Sequence, residues 1–168
     1  MSFNPLNWSF RTQFAAGFIV CSALLGYALY VQYHMLMMPC PLCIFQRVAI
    51  AAMGVFFLLG ALHGPGRTGR RVHSLLVFAA AVSGGAVAGR HFQIQHLPAD
   101  EVPLCNGLGL DYMLEAFPLK EVVVKVFTGS GECAKIDWTF LGLSMPGWTF
   151  ICFVLLGIGA LWAGFRKR

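Results

Sequence analysis

The sequence predicts an all-α membrane protein: a four-transmembrane-helix bundle, N-in/C-in, with a long outer loop between spans three and four. Three observations lead there. The chain has 168 residues, is 58% hydrophobic with mean hydropathy +0.70, and is only 11% charged, whereas soluble domains carry about 25% charged residues. Its apolar residues gather into runs at about 14–33, 42–62, 72–89 and 148–165. Each run is near the ~20 residues a helix needs to cross a bilayer, and backbone in lipid must satisfy its own hydrogen bonds, which selects helices. Finally, Arg11, Arg67, Arg70, Arg71, Arg166, Lys167 and Arg168 fall on one side of this arrangement, and all seven acids (Asp100, Glu101, Asp111, Glu115, Glu121, Glu132 and Asp137) fall on the other. Lysine and arginine mark the cytoplasmic face. Both termini are therefore expected inside, with loops 34–41 and 91–145 outside. The net charge of +5 is then a topology signal. It is no nucleic-acid footprint, because no basic patch interleaves with aromatics. Residues 1–168 read as a single integral membrane domain, without internal repeats or low-complexity tracts.

Span one exceeds the ~7–15 apolar residues of a signal peptide, and no small-residue cleavage site follows it; Gln32, Tyr33 and His34 stand there instead. Span two opens with Pro39-Cys40-Pro41-Leu42-Cys43. Pro41 suits the first turn of a helix, which puts Cys40 at the cap and Cys43 in the first turn. Unpaired N–H groups at a helix start carry partial positive charge and favour a thiolate. Arg47, four residues beyond Cys43, shares its helical face and lies about 9 Å along the helix from Pro41 at ~1.5 Å per residue. A cation inside a span is costly. Arg47 therefore either snorkels to outer headgroups or binds a polar or anionic group at the membrane boundary.

Between spans two and three, His63–Val72 reads as a tight basic connector holding Gly64, Pro65, Gly66 and Gly69. In span three, Gly85-Ala86-Val87-Ala88-Gly89 is a small-xxx-small pattern: either a close-packing face or the ordinary glycine content of a span. The first part of the outer loop is rich in proline and glycine. Its middle, Tyr112–Phe127, reads as a short interfacial amphipathic helix, although Pro118 interrupts it and Glu121–Phe127 is also strand-like. Ser144-Met145-Pro146 reads as the capped start of span four.

Six cysteines punctuate this plan. Cys21 and Cys152 fall inside spans and read as small apolar core residues. Cys40, Cys43, Cys105 and Cys133 all map to the outer face. Four cysteines allow three pairings, and the closeness of Cys40 to Cys43 favours 40–43 with 105–133. Zinc needs a second close ligand pair. Cys105 and Cys133 are far apart in sequence, and His91 and His96 fit one helical face poorly, so spacing supplies no metal set. A c-type haem site needs histidine after Cys43, where Ile44 stands. A b-type haem between His34 and His91 stays open beside the reading of both as interfacial histidines.

Taken together, Pro-Cys-x-Leu-Cys-x-x-x-Arg at span two, four spans, and an outer-loop cysteine pair resemble the DsbB family. Gly129-Ser130-Gly131-Glu132-Cys133 and Trp138-Thr139-Phe140-Leu141-Gly142-Leu143-Ser144-Met145-Pro146 are also similar to that family, and the resemblance covers nearly the whole chain. It implies a disulfide-generating quinone reductase of the bacterial inner membrane that reoxidises a periplasmic DsbA-like partner. The cofactor is then quinone (ubiquinone or menaquinone), drawn from the membrane pool. By the same resemblance, Cys105 and Cys133 match the pair that oxidises the partner, Cys40 and Cys43 match the quinone-coupled pair, Arg47 matches the quinone-site arginine, and His91 matches a histidine near the quinone. Gln46 stands where family members often have glutamate. Two other classes compete: a four-span organiser with a disulfide-braced loop, which leaves Cys40, Cys43 and Arg47 idle, and a b-haem electron carrier. A vitamin K epoxide reductase-like enzyme shares the quinone logic but carries its Cys-x-x-Cys late in the chain.

Overall fold

The computed structural model describes residues 8–36, 39–98, 131–136 and 138–166, together with Glu101, Pro118, Lys120, Glu121, Val124 and Thr128. Four long helices dominate: α1 (Phe10–His34), α2 (Pro41–His63), α3 (Arg67–Ile94) and α5 (Met145–Phe165). The short helix α4 (Gly131–Ala134) and a hairpin of β1 (Thr139–Phe140) and β2 (Leu143–Ser144) precede α5. All four long helices have the length and apolar character to cross a membrane. Even α5, the shortest at 21 residues, is about 30 Å long, which matches the hydrocarbon core.

Local chemistry sets the helix ends beyond the apolar runs. Ser9 caps α1 by accepting a hydrogen bond from the Thr12 N–H at 3.2 Å. Cys40 is the N-cap of α2, with Pro41 in the first turn. The basic connector proves shorter than the sequence suggests. Only Gly64–Gly66 is non-helical, with Gly64 in the left-handed region at φ 52°. Arg67, Arg70 and Arg71 already belong to α3, because arginine is a good helix former, and the side chains of Arg70 and Arg71 find partners at the bundle end. Arg70 donates to the Pro65 carbonyl (3.2 Å) and lies over the Phe10 ring; Arg71 lies over Phe165. Arg11 donates to the Ala61 carbonyl across the α1–α2 seam. Arg11, Arg67, Arg70, Arg71 and Arg166 thus gather at one end of an antiparallel bundle. At the other end α3 continues past Gly89 to Ile94, so His91 is helical and buried rather than part of the loop.

Phenylalanine and glycine sockets hold the helices together. Phe14 fills the space beside Gly60, and Phe57 fills the space beside Gly17; a Cβ on either glycine would come within 2.5–2.7 Å of the opposing ring. Across the α3–α5 seam, the most extensive in the bundle, Phe153 packs onto Gly84 and Ser74 onto Gly164, both at distances no Cβ would permit. Gly85 and Gly89 do face α5, but at ordinary contact with Phe150 (3.7–4.0 Å). The close approach is at Gly84, one residue before the motif. Ile19, Leu155 and Ile158 remain about 60% exposed, as side chains facing lipid should be.

Of the described residues of the 112–127 stretch, Lys120, Glu121 and Val124 are helical and Pro118 is not, and Thr128 beyond it is helical; the rest of the stretch lies outside the described residues. The hairpin was not anticipated. Leu141 (φ 51°) and Gly142 (φ 79°) form its two-residue turn, with both positions at positive φ as a type I′ turn requires. Leucine there is an unfavourable choice, so the sequence carried only a weak turn signal. Ser144 is the N-cap of α5 as expected, but its hydroxyl is used elsewhere.

Gly84→Ala should destabilise the bundle by about 1–3 kcal/mol, the usual cost of overpacking, because Ala49 also blocks the site at 2.8 Å. Gly26→Ala, with open space around it, should be neutral or mildly stabilising. Unfolding in detergent monitored by circular dichroism separates the two; equal midpoints would contradict the socket.

Candidate active site

The outer end of α2 presents two sulfurs. As N-cap and first-turn residues, Cys40 and Cys43 fall on adjoining positions, and their Sγ atoms are 3.6 Å apart. α3 brings His91 between them from the side. Its Nε2 is 3.8 Å from Cys40 Sγ and its Nδ1 is 3.8 Å from Cys43 Sγ. α4 brings Cys133 from above. The ligating atoms of Cys40, His91 and Cys133 all lie within 4.8 Å of one another, and all three residues are buried. Leu42, Val87 and Ile94 pack around them and exclude water.

The hydrogen bonds of His91 settle its proton. Nε2 is 3.1 Å from the Cys133 carbonyl, which can only accept, so Nε2 carries hydrogen and donates. Nδ1 then accepts from the Gln46 amide at 3.1 Å. Gln46 is itself buried, at 5% exposure, and a buried polar group requires a partner. The ring is therefore fixed on both sides, and through it the loop is tied to α2 and α3.

Two neighbours of His91 repeat this tie. Arg90 donates to the Thr128 carbonyl and Gln95 to the Lys135 carbonyl, each at 3.4 Å. Gln95 also accepts from the Ser144 hydroxyl at 2.6 Å. The last turns of α3 thus hold α4 and the start of α5 together. Sequence reasoning missed Gln95 and gave Gln46 no part in the site. Their signal was available, since an isolated glutamine at the end of an apolar helix needs a polar partner.

Arg47 lies on another face of α2. Its guanidinium donates to the Gln32 side chain and to the Ala28 carbonyl (3.1 Å) on α1. Both acceptors are neutral, so they orient the cation without cancelling its charge. Beside it is a cleft of about 130 Å³ whose lining includes Cys43, Gln46, Arg47, Tyr27, Trp148 and Met145. It lies at the seam of α1 and α5, which touch each other least among neighbouring long helices. Trp138, Phe140 and Trp148 form an aromatic series beside it, with ring centroids 6.0 Å apart, and Trp148 Nε1 donates to the Phe140 carbonyl. Cys152 also lines this cleft, whereas Cys21 packs in the core.

The structure therefore brings Cys40, Cys43, His91 and Cys133 into one cluster, with Arg47 in the adjoining cleft. Cys105 lies outside the described residues, and so does its pairing with Cys133. His34 is exposed and stacks on Tyr30, while both His91 nitrogens are engaged within the cluster, so no contact favours a haem between them. A sulfur pair with a third sulfur within 4.8 Å can exchange disulfides, since a thiolate attacks a neighbouring S–S bond directly.

The family model for Disulfide bond formation protein DsbB matches residues 10–163. This chain belongs to the DsbB family. It is similar to proteins named Disulfide bond formation protein B from several bacteria. The one from Xanthomonas axonopodis pv. citri is 52% identical over 166 residues, covering 98% of this chain and 96% of the relative. Those from Nitrosococcus oceani and Methylococcus capsulatus are 49% and 50% identical, covering 94% and 90% of this chain and 92% and 91% of the relatives. The chain is thus a multi-pass membrane oxidoreductase of disulfide bond formation.

Gln95→Leu removes two hydrogen bonds worth about 1 kcal/mol each. Amide exchange in 131–136 should rise about tenfold or more while exchange in α1 stays unchanged. Equal protection in 131–136 would show that Gln95 does not hold the loop.

Proposed function

We propose that this chain is a protein-dithiol:quinone oxidoreductase of the bacterial inner membrane. It reoxidises a DsbA-like periplasmic partner and passes the electrons to the quinone pool, as ubiquinone or menaquinone. One observation carries the reading: the two sulfurs of Cys-x-x-Cys look in different directions. Cys40 faces Cys133 of the loop, while Cys43 lines the cleft that holds Arg47. A site that passes electrons from a soluble protein to a lipid-phase acceptor needs that division.

The exchange begins with the Cys105–Cys133 disulfide. A thiolate of the reduced partner attacks Cys105; an S–S bond forms between them and Cys133 leaves as thiolate. Cys133 attacks Cys40, making the 133–40 bond and breaking the 40–43 bond, and Cys43 leaves with the electron pair. The partner's second thiol closes its own disulfide and releases Cys105. Cys105 then re-forms the bond to Cys133 and frees Cys40. The partner has lost two electrons and two protons, and Cys40 and Cys43 hold them. Quinone, when bound in the cleft, supplies the acceptor that returns this dithiol to a disulfide. The cleft suits such a group: its walls are aromatic and apolar, and Arg47 offers unneutralised charge to a ring oxygen, a preorganised contact for developing negative charge. His91 orients the loop so that Cys133 meets Cys40.

The orientation follows from the same reading. The arginine-rich end of the bundle faces the cytoplasm, so the cysteine cluster faces the periplasm, where disulfides persist. Residues 1–168 act as one membrane domain.

Cys43→Ser should abolish quinone reduction while the Cys105–Cys133 pair still reacts once with reduced partner, read as a single burst without turnover. Continued turnover would overturn the order of transfer. Arg47→Ala should raise the apparent KM for quinone about tenfold or more, the loss of one charge-assisted hydrogen bond. An unchanged KM would reduce Arg47 to a membrane anchor. Membrane-impermeant thiol reagents should reach reduced Cys40 from the periplasmic side only; labelling from the cytosol would reject the orientation.

A further inference from the structure

The fold assembles a donor set that no local spacing in the sequence contains. Cys40 comes from the cap of α2, His91 from the end of α3 and Cys133 from α4, and their donor atoms lie within 4.8 Å of one another. Zn–S bonds of about 2.3 Å and Zn–N bonds of about 2.0 Å at tetrahedral angles put S···S edges near ~3.8 Å and S···N edges near ~3.6 Å. The Cys40 Sγ to His91 Nε2 distance is 3.8 Å and the Cys40 to Cys43 sulfur distance is 3.6 Å. Within the three-residue set the Cys40–His91 edge is already at tetrahedral length, and Cys133 needs to close by about 1 Å at most to bring its two edges there.

We propose that the reduced protein binds one thiophilic divalent cation of the zinc class through Cys40 Sγ, Cys133 Sγ and His91 Nε2. Cys43 or water takes the fourth position. Both thiols give up their protons to solvent on binding, and no electrons move. With water in the fourth position, two thiolates and a divalent cation sum to zero charge, which suits a buried site. Ligation through Nε2 moves the ring proton to Nδ1. The Nε2 hydrogen bond to the Cys133 carbonyl is given up, and that carbonyl must swing away as Cys133 closes on the metal. Gln46 turns its amide so that its carbonyl accepts from Nδ1, which keeps the hydrogen bond on the far side of the ring, as metal-bound histidines usually require. Oxidised protein has no such site, because its sulfurs are consumed in disulfides. One consequence rests on the function proposed above: the metal holds the two sulfurs that must exchange, so it stops turnover.

The probes are Zn2+ and, as a spectroscopic substitute, Co2+, added to the full-length protein reduced in detergent. Reduced protein should bind one equivalent and show the thiolate charge-transfer and tetrahedral ligand-field bands of cobalt; oxidised protein should show neither. Cys43→Ser should keep both bands, whereas His91→Ala and Cys133→Ser should bind at least tenfold more weakly. Loss of the bands in Cys43→Ser, or unchanged binding in the other two, would mean that the Cys-x-x-Cys pair alone holds the metal and would overturn the site. Because His91→Ala also removes the tie between α4 and the bundle, the wild type supplies an independent reading: Zn2+ should slow alkylation of Cys133 at least tenfold, and an equal rate refutes its ligation. Turnover with and without Zn2+ is a separate arm. Metal binding without any partner oxidation would keep the site and reject the proposed function; normal turnover in zinc-loaded protein would reject the inhibitory consequence alone.

Discussion

The site depends on one buried ring. His91 stands between the Gln46 amide on α2 and the Cys133 carbonyl on α4, and these contacts join elements that are distant in sequence. A buried polar atom without a partner costs about 1–3 kcal/mol, so each of the three groups requires the other two. This requirement, together with the apolar cluster around Cys133, sets where the loop meets the bundle. Arg90 and Gln95 extend the same logic over the last turns of α3, and Gln95 carries it on to the hydroxyl of Ser144, the N-cap residue of α5.

The ring can be held this way only because the helices beneath it are closely fixed. Association in lipid draws on packing and small residues more than on exclusion of water. The sockets at Gly17, Gly60, Gly84 and Gly164 provide that packing along both major seams. A shift of α3 along α5 would carry His91 away from Cys40, so the Phe153–Gly84 contact is linked to sulfur geometry at the other end of the helix. The least extensive seam, between α1 and α5, is where the cleft with Arg47 and Cys43 lies. Looser contact at this seam leaves room there for the cleft.

Arg47 shows how the site keeps a charge at a membrane boundary. Its two named partners are a side-chain amide and a backbone carbonyl; they fix the guanidinium in direction and leave its charge in place. A carboxylate partner would have neutralised it. The arrangement suits stabilisation of negative charge in a site of low dielectric, where a preorganised donor is worth most.

Much of this was readable from the chain alone. Apolar runs near bilayer length determined four spans, the arginines determined which ends lie together, and Pro41 determined that Cys40 would cap a helix with Cys43 in its first turn. These are local matters: a helix start depends on a few neighbouring residues, and hydropathy is a property of a window. The exact closeness of Gly84 to Phe153, the hairpin at Leu141 and Gly142, and the parts played by Gln46 and Gln95 were decided only by the fold. So was the meeting of Cys40, His91 and Cys133, which sequence spacing had discounted as a ligand set. Each of these contacts joins separate elements, and its geometry depends on how helices are rotated and displaced against one another. Sequence spacing along one helix carries no measure of that rotation; side-chain packing between helices does.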